Sequence, residues 1–333
     1  MPYEPIDVLG LGNALVDILA YAEEDFLAAE GMRKGAMTLI EEDQAESLYS
    51  RMGSATIVSG GSAANTIVGV GSFGLRGVYV GKVKDDTLGR AFIHDIRATG
   101  VGFSVQPAAD GPATGRSFIL ITPDGQRTMN TYLGASQLLS PVDLDEELVR
   151  SARIVYLEGY MWDRPAAKET FQKAARLAHG AGARVALTLS DPFCVDRFRA
   201  EFLGLIRTGL VDTIFANRDE LRSLYQVADL GVALEALRAE GVLGVVTRSE
   251  EGSIVVDRGA TFEAPAFPID RVADTTGAGD LFAAGFLAGM ARGAGHLKSA
   301  QLGALAAAEI IQHAGARPQV TLAQLAAQNG LAL

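Results

Sequence analysis

Short runs of β-branched and apolar residues recur at 7–11, 56–59, 77–81, 154–158, 185–189, 213–216, 242–247 and 253–257, separated by longer segments of helical period such as 164–179, 220–226 and 234–240. This alternation constrains the fold more than any other property of the chain. Parallel strands cannot be joined by tight turns and need a crossover, usually a helix. The sequence therefore predicts an α/β fold: a mostly parallel central sheet with helices on both faces. In such sheets ligands gather at the carboxyl ends of the strands. Residues 13–40 and 105–135 break the alternation and read as strands and turns with no long helix between them. The stretch TGRSFILITPDGQRTMNTYLGAS alternates about a Pro-Asp-Gly turn, which is a hairpin signal. Together they predict a small β-sheet lid within one domain spanning 1–333.

Composition limits the partners. With 48% hydrophobic residues among 333, the chain can bury a sizeable core. Its net charge of −11 repels phosphate backbones, so no nucleic-acid partner is expected. The single cysteine, Cys194, forbids an internal disulfide, and with no base partner evident it is read as a buried bystander. The first residues have no basic, apolar leader pattern, and no run of eighteen apolar residues occurs anywhere. The expectation is a cytoplasmic protein with no membrane partner and a small-molecule substrate.

The stretch GVGSFG at 69–74 matches a dinucleotide fingerprint, but it ends an apparent helix where the fingerprint should open one. No Walker pattern is present. In VSGGSAANTIVGVG, Gly60 and Gly61 allow unusual backbone angles, Ser62 can cap a helix, and Asn65 falls in its first turn, facing whatever lies at that helix end. In GLGNALVDI, Asn13 and Asp17 follow the first strand. Asp17 is either a solvated edge residue or a carboxylate placed to accept hydrogen bonds from vicinal hydroxyls.

The segment DTTGAGDLFAAGF is the most informative. Successive amides at Gly277, Ala278, Gly279 and Asp280, at a helix start, make an anion hole. Asp274 already lies upstream to serve as a cap, and a second carboxylate would compete with a bound anion. Asp280 therefore reads as a group that takes a proton from a substrate hydroxyl beside a transferring phosphoryl group. Ala283, Ala284, Ala288 and Gly289 read as close-packing positions. Asn217 and Glu220, three apart in FANRDEL, share one face of a helical turn and suit a hydrated Mg²⁺, although such spacing is common. Thr247 and Gly252 flank a polar turn that fits a nucleotide or any hairpin, and Arg127 lies just beyond the Pro-Asp-Gly turn.

In this order the motifs resemble the ribokinase-like (phosphofructokinase-B-type) family of carbohydrate and nucleoside kinases, from GLGNALVDI to HAGARPQ. GGSAANT and DTTGAGDLFAAGF carry the resemblance most specifically. GNALVDI, TGRSFILI and QRTMNTYLGA look most like the family's adenosine kinase branch and its bacterial relatives. The resemblance implies ATP-dependent phosphorylation of a primary hydroxyl, the 5′-hydroxyl of adenosine first. Another nucleoside, ribose or fructose, or a non-catalytic binder, are the alternatives. It makes Asp280 the base and Gly277, Ala278 and Gly279 the anion hole. Asn13, Asp17, Gly60, Gly61 and Asn65 would hold the ribose, with Arg127 approaching the phosphate from the lid.

Asn217 and Glu220 would organise Mg²⁺ indirectly. Thr247, Arg248, Gly252, Thr276 and Gly279 would serve ATP, and Asp274 and Thr276, near backbone at Gly315, would take K⁺. Two departures stand out: Arg218 replaces an acidic position of the metal motif, and TRSEEG replaces the usual nucleotide turn. Met37, Thr38, Phe118, Leu133, Tyr160 and Met161 are base-pocket candidates by position. Relatives are monomers or homodimers.

Overall fold

The computed structural model describes residues 4–333. Fourteen strands form two sheets: β1 (Ile6–Leu11), β2 (Leu15–Tyr21), β3 (Met37–Leu39), β4 (Thr56–Gly60), β5 (Gly77–Val80), β6 (Gly102–Phe103), β7 (Gly115–Ile121), β8 (Arg127–Tyr132), β9 (Ala152–Glu158), β10 (Arg184–Thr188), β11 (Thr213–Asn217), β12 (Leu243–Thr247), β13 (Ser253–Asp257) and β14 (Ala260–Ala264). The nine-stranded sheet runs β14-β13-β12-β11-β10-β9-β1-β5-β6. Its strands pair in parallel from β12 to β6, and β13 and β14 close one edge as an antiparallel meander. Helices cover both faces, as the alternation predicts. Every residue of β1 is buried, the pattern of a central strand with no solvent face.

The five-stranded sheet, β3-β8-β7-β2-β4, supplies the separate small layer. It claims β4, which the strand–helix alternation assigns to the large sheet. The reason lies in the strand's own pattern: Thr56 and Ile57 are exposed, Val58 half-buried, and only Ser59 and Gly60 buried. A strand wet over half its length cannot sit inside a two-faced parallel layer. It pairs antiparallel with β2 instead, setting Asp17 opposite Val58 and Leu15 opposite Gly60. The small layer therefore runs beyond residue 40 and includes the ten-residue helix Glu42–Arg51.

The pleat of the small sheet sorts its residues. Ile18, Phe118 and Tyr132 pack on Ala45 and Leu48 of that helix. Leu19, Ile119 and Ile121 cluster with Val58 and Met129 on the opposite face. This second face meets the 314–319 segment of the large layer across a cleft of about 350 Å³. Asp17 shares it by the period of two.

Helix Ala278–Ala291 packs against Ser62–Ser72 and His296–Ile310 at close range. A Cβ at Gly289 would lie 2.4 Å from Ser299, one at Gly285 2.4 Å from the Leu302 carbonyl, and one at Gly69 2.6 Å from the Ala284 methyl. The small residues after Asp280 thus let three helices meet. Among the described residues no helix is long and apolar enough to cross a membrane.

Candidate active site

The site lies at the carboxyl ends of β1 and β9, where helices Ser62–Ser72 and Ala278–Ala291 point their first turns at one another. Gly277, in the left-handed region at φ +79°, caps the second of these helices. A Cβ there would strike Ala316 at 2.7 Å, so both backbone and space call for glycine. Leu281 closes the first helical turn onto the Gly277 carbonyl at 2.8 Å, and the Ala278 N–H leans on the Thr275 carbonyl at 3.3 Å. The N–H groups of Gly277, Gly279 and Asp280 have no acceptor among the described residues. Of the amides expected to make an anion hole, those of Gly277, Gly279 and Asp280 are thus open and that of Ala278 is partly engaged. Gly279 is exposed, and nothing lies within 4 Å of where its Cβ would be.

Asp280 is held from the other helix. Ser62 Oγ donates to its Oδ1 at 2.7 Å and Asn65 Nδ2 to its Oδ2 at 3.0 Å. Burial raises its pKa above the ordinary carboxylate value, while those two hydrogen bonds and the charges of Arg127 and Arg317 oppose the rise. The result is a half-buried carboxylate with two donors fixing its orientation and open amides beside it.

Asp17 is 6% exposed and accepts no hydrogen bond from the described residues. Burial pushes its pKa up to about 7; Arg317 and Arg127 pull against this, while Asp280 and Asp274 add to it. The carboxylate rests directly on Gly60, where a Cβ would come within 2.1 Å of Asp17 Cγ. Gly61 adopts φ +97°, and a Cβ there would meet the Asn13 carbonyl at 2.3 Å. Two further buried polar atoms, Asn13 Nδ2 and Asn65 Oδ1, have no hydrogen-bond partner among the described residues. A cluster of polar groups without mutual partners is the mark of a site that a polar ligand completes.

Two residues absent from the sequence reading belong to this constellation. Glu158, 1% exposed at the end of β9, accepts the Asn13 N–H at 3.2 Å and the Ala63 N–H at 2.8 Å. It ties the turn after β1 to the start of the Ser62–Ser72 helix, and burial raises its pKa to about 8. Its signal was readable: a carboxylate ending the apolar run IVYLE has no solvent to face. Arg317 is the second. Its Nη2 and Nε donate to the Ser59 carbonyl at 2.8 and 3.2 Å, its Nη2 also to Ser59 Oγ at 3.1 Å, and its Nη1 to the Ala64 carbonyl at 3.2 Å.

The other expected residues fall as follows. Arg127 Nη1 donates to the Thr275 carbonyl at 2.8 Å, joining β8 of the small sheet to the loop before the open amides. Asp274 is fully buried and accepts from Thr276 N–H and Oγ1 at 2.9 and 2.6 Å and from Gly315 N–H at 2.9 Å. It is the fastener of that loop. Asn217 and Glu220 hold each other in a reciprocal cap. Asn217 Oδ1 accepts the Asp219 and Glu220 N–H groups at 2.9 Å, and Glu220 accepts from Asn217 N and Nδ2 at 3.0 and 2.6 Å. Burial raises Glu220 to about 8.

Thr247 ends β12, and Gly252, at φ +82°, closes the turn beyond it. Arg248 pairs with Glu263 at 3.0 Å and donates to the Glu251 carbonyl at 3.1 Å. Arg218 explains its own departure from the acidic pattern: it donates to the Arg248 carbonyl at 2.5 Å and pairs with Glu251 at 3.0 Å, bracing the same turn. Cys194 is buried and donates to the Gly159 carbonyl at 3.4 Å.

The base-pocket candidates divide. Phe118 is fully buried against helix Glu42–Arg51, on the far face from Asp17. Met161 lies in the main core, and Tyr160 donates to Asp191 Oδ2 at 3.0 Å. Thr38 pairs in register with Asn130, out of step with the Met37–Met129 pair that shares the cleft-facing parity. Leu133 is buried just past β8. Strand parity, which position along the chain does not reveal without a partner register, separates Phe118 and Thr38 from Met37. Among the described residues no group of three or more His, Cys, Asp or Glu is placed to hold a metal.

A large mostly parallel sheet, a small second sheet, and a half-buried carboxylate beside unpaired amides fit a phosphotransferase with an alcohol acceptor. The chain belongs to the pfkB family of carbohydrate kinases, whose model matches residues 35–322. The crystal structure of adenosine kinase from Sinorhizobium meliloti superposes with a TM-score of 0.95 at 51% identity, covering 98% of this chain and 99% of that one. Adenosine kinase of Saccharomyces cerevisiae is 28% identical over 92% of this chain and 94% of its own. A 5-dehydro-2-deoxygluconokinase of Shouchella clausii is 27% identical over 96% and 94%. The chain is thus a sugar or nucleoside kinase, a class that uses ATP, generally with Mg²⁺.

Proposed function

We propose that this chain transfers the γ-phosphoryl group of MgATP to the 5′-hydroxyl of adenosine, giving AMP and ADP. The observation that carries the reading is Asp17. A buried carboxylate without a protein donor is costly unless a ligand supplies one. Vicinal ribose hydroxyls offer two donors in the required direction, and the unpartnered Asn13 Nδ2 and Asn65 Oδ1 offer a complementary donor and acceptor. Such a diol places the 5′-hydroxyl toward Asp280.

In this reading Asp280 accepts the hydroxyl proton as the phosphoryl group transfers, with Ser62 and Asn65 fixing its oxygens. The amides of Gly277 and Gly279, aided by Ala278 and by Asp280's own N–H, stabilise the charge on the moving group. Arg127 joins the small sheet to this loop and brings positive charge to the phosphate side. MgATP supplies the phosphoryl group, and its ion spreads the charge of the phosphates. Asn217 and Glu220 spend their polar atoms on each other and act on the ion through water, as suits a cation that keeps most of its hydration shell. Thr247, Gly252 and Thr276 form the nucleotide side. Arg248 contributes there through the turn that it and Arg218 hold. K⁺, if used, takes Asp274 as one oxygen donor at the fastened loop. The small sheet acts as a lid that excludes water once the acceptor is seated.

ADP release is to be measured with adenosine, inosine, guanosine, ribose, fructose and 5-dehydro-2-deoxygluconate. Adenosine is expected to give the highest kcat/KM. A sugar or sugar acid turned over in preference replaces the nucleoside reading. Tight binding without turnover of any acceptor replaces the enzyme reading.

A further inference from the structure

We infer that Arg317 is a positioning residue for the acceptor site: its guanidinium, hydrogen-bonded to Ser59 and Ala64 beside the Gly60 seat, keeps the Asp17 carboxylate in place to receive hydroxyls. The inference rests on the proposed kinase reading.

The geometry is a strap. Gly315 and Arg317, two residues apart, grip opposite sides of the site. The Gly315 N–H holds Asp274 of the loop before the open amides at 2.9 Å. Arg317 forks onto the Ser59 carbonyl with two nitrogens and reaches Ala64 with the third. Ser59 precedes the glycine on which Asp17 rests, and Ala64 precedes Asn65, which holds Asp280. A single side chain therefore fixes the seat of one carboxylate and the helix that orients the other. Lysine, a point charge without a planar fork, cannot reproduce the double grip on Ser59.

The charge has a separate consequence. The charged groups that act on Asp17 are Arg317, Arg127, Asp280 and Asp274, with Arg317 first among them. Burial alone would favour the protonated acid, which offers a diol a poorer acceptor. The Arg317 charge opposes this. Arg317 itself, lowered by burial to about 10, stays charged at neutral pH. Nothing in GARPQ signals this role, because Ser59 lies 258 residues away in the chain.

The test uses the full chain labelled with ¹³C at Asp carboxyl carbons, the Asp17 signal being assigned by its loss in Asp17→Asn. Carboxyl titration and the pH profile of kcat/KM for adenosine are compared in wild type, Arg317→Gln and Arg317→Lys. In Arg317→Gln the Asp17 midpoint rises by about one pH unit or more, and the acid limb of kcat/KM moves with it. In Arg317→Lys the midpoint stays near wild type, while kcat/KM falls at every pH because the fork is lost. An unmoved Asp17 midpoint in a folded Arg317→Gln overturns the inference, as does wild-type kcat/KM in Arg317→Lys. If Arg317→Gln does not fold, the lysine variant decides alone by the same two readouts. Absence of turnover in wild type refutes the kinase reading and leaves the carboxyl titration to judge Arg317.

Discussion

Replacing Gly60 with alanine tests the seat of Asp17 by the smallest possible addition. Gly60 is not in the positive-φ region, so alanine brings no backbone strain of its own. The whole effect is steric. The new methyl would stand 2.1 Å from Asp17 Cγ and 2.1 Å from Oδ2. Carbon atoms prefer about 3.5 Å or more, so the carboxylate must retreat by about 1.4 Å. It has little room: Asp17 is buried, paired in register with Ser117 on one side and Val58 on the other. Displacements near 1 Å can cost about 10²-fold in rate, equivalent to about 2.7 kcal/mol of lost transition-state stabilisation.

Gly60→Ala is therefore expected to lower kcat/KM for adenosine about 10²-fold with KM for MgATP unchanged, since the nucleotide turn lies at β12. Coupled ADP-release kinetics at saturating ATP and at saturating adenosine separate the two. β4 is an edge strand, and circular dichroism is expected to stay as in wild type. Adenosine kinetics within threefold of wild type would refute the reasoning, because Asp17 would then have moved without consequence.

Asp280→Asn is expected to lower kcat by about 10²–10⁴-fold, the range for a lost general base. The fold should hold, because the new amide can meet Asn65 Oδ1, now without a partner, after a flip of that side chain; single-turnover phosphorylation beside circular dichroism checks both. Asp17→Asn should weaken the acceptor yet stabilise the protein at high pH. Folded Asp17 keeps its proton up to about pH 7, above the ordinary carboxylate range, so its contribution to stability falls as pH rises from about 4 to about 7. In urea unfolding the variant should match wild type near pH 4 and exceed it at pH 8, by up to about 1.4 kcal/mol for each unit of that shift; equal midpoints at pH 8 would contradict the assignment. Asn217→Ala removes a cap that satisfies two helix N–H groups and should cost about 1–2 kcal/mol in the same assay.

The fold was legible where periodicity is local. β1, β5 and β9 to β13 follow from apolar runs and the crossovers after them, and the small layer from the Pro-Asp-Gly hairpin. β4 was read into the wrong layer because its five residues are too few to separate a half-wet edge strand from a buried one by composition. The candidate site was legible where glycine and a polar side chain concentrate beside an apolar helix, at Gly60–Asn65 and Asp274–Asp280. Ser62 is not the cap its sequence position suggests: it is the first helical residue, Gly61 holds the cap position without a side-chain bond, and the Ser62 hydroxyl goes to Asp280, 218 residues away across two helices. Glu158 left a trace in the run it terminates. Position alone could not sort the strand candidates of the base pocket, because one step along a strand reverses the face: Phe118 packs on helix Glu42–Arg51 while Ile119 clusters with Leu19 on the other side.

Gly60, Gly61, Ser62 and Asn65 also bear on how such a protein can diversify. Within six positions one segment supports Asp17, turns a corner that only glycine can turn, and supplies both partners of Asp280. A lineage adopting a new acceptor cannot rework this segment without disturbing the carboxylate on the other helix. Elements that supply no partner to Asp280, such as β3, are free of that constraint. Relatives of similar length that carry the names of a nucleoside kinase and a sugar-acid kinase are the outcome such a division allows.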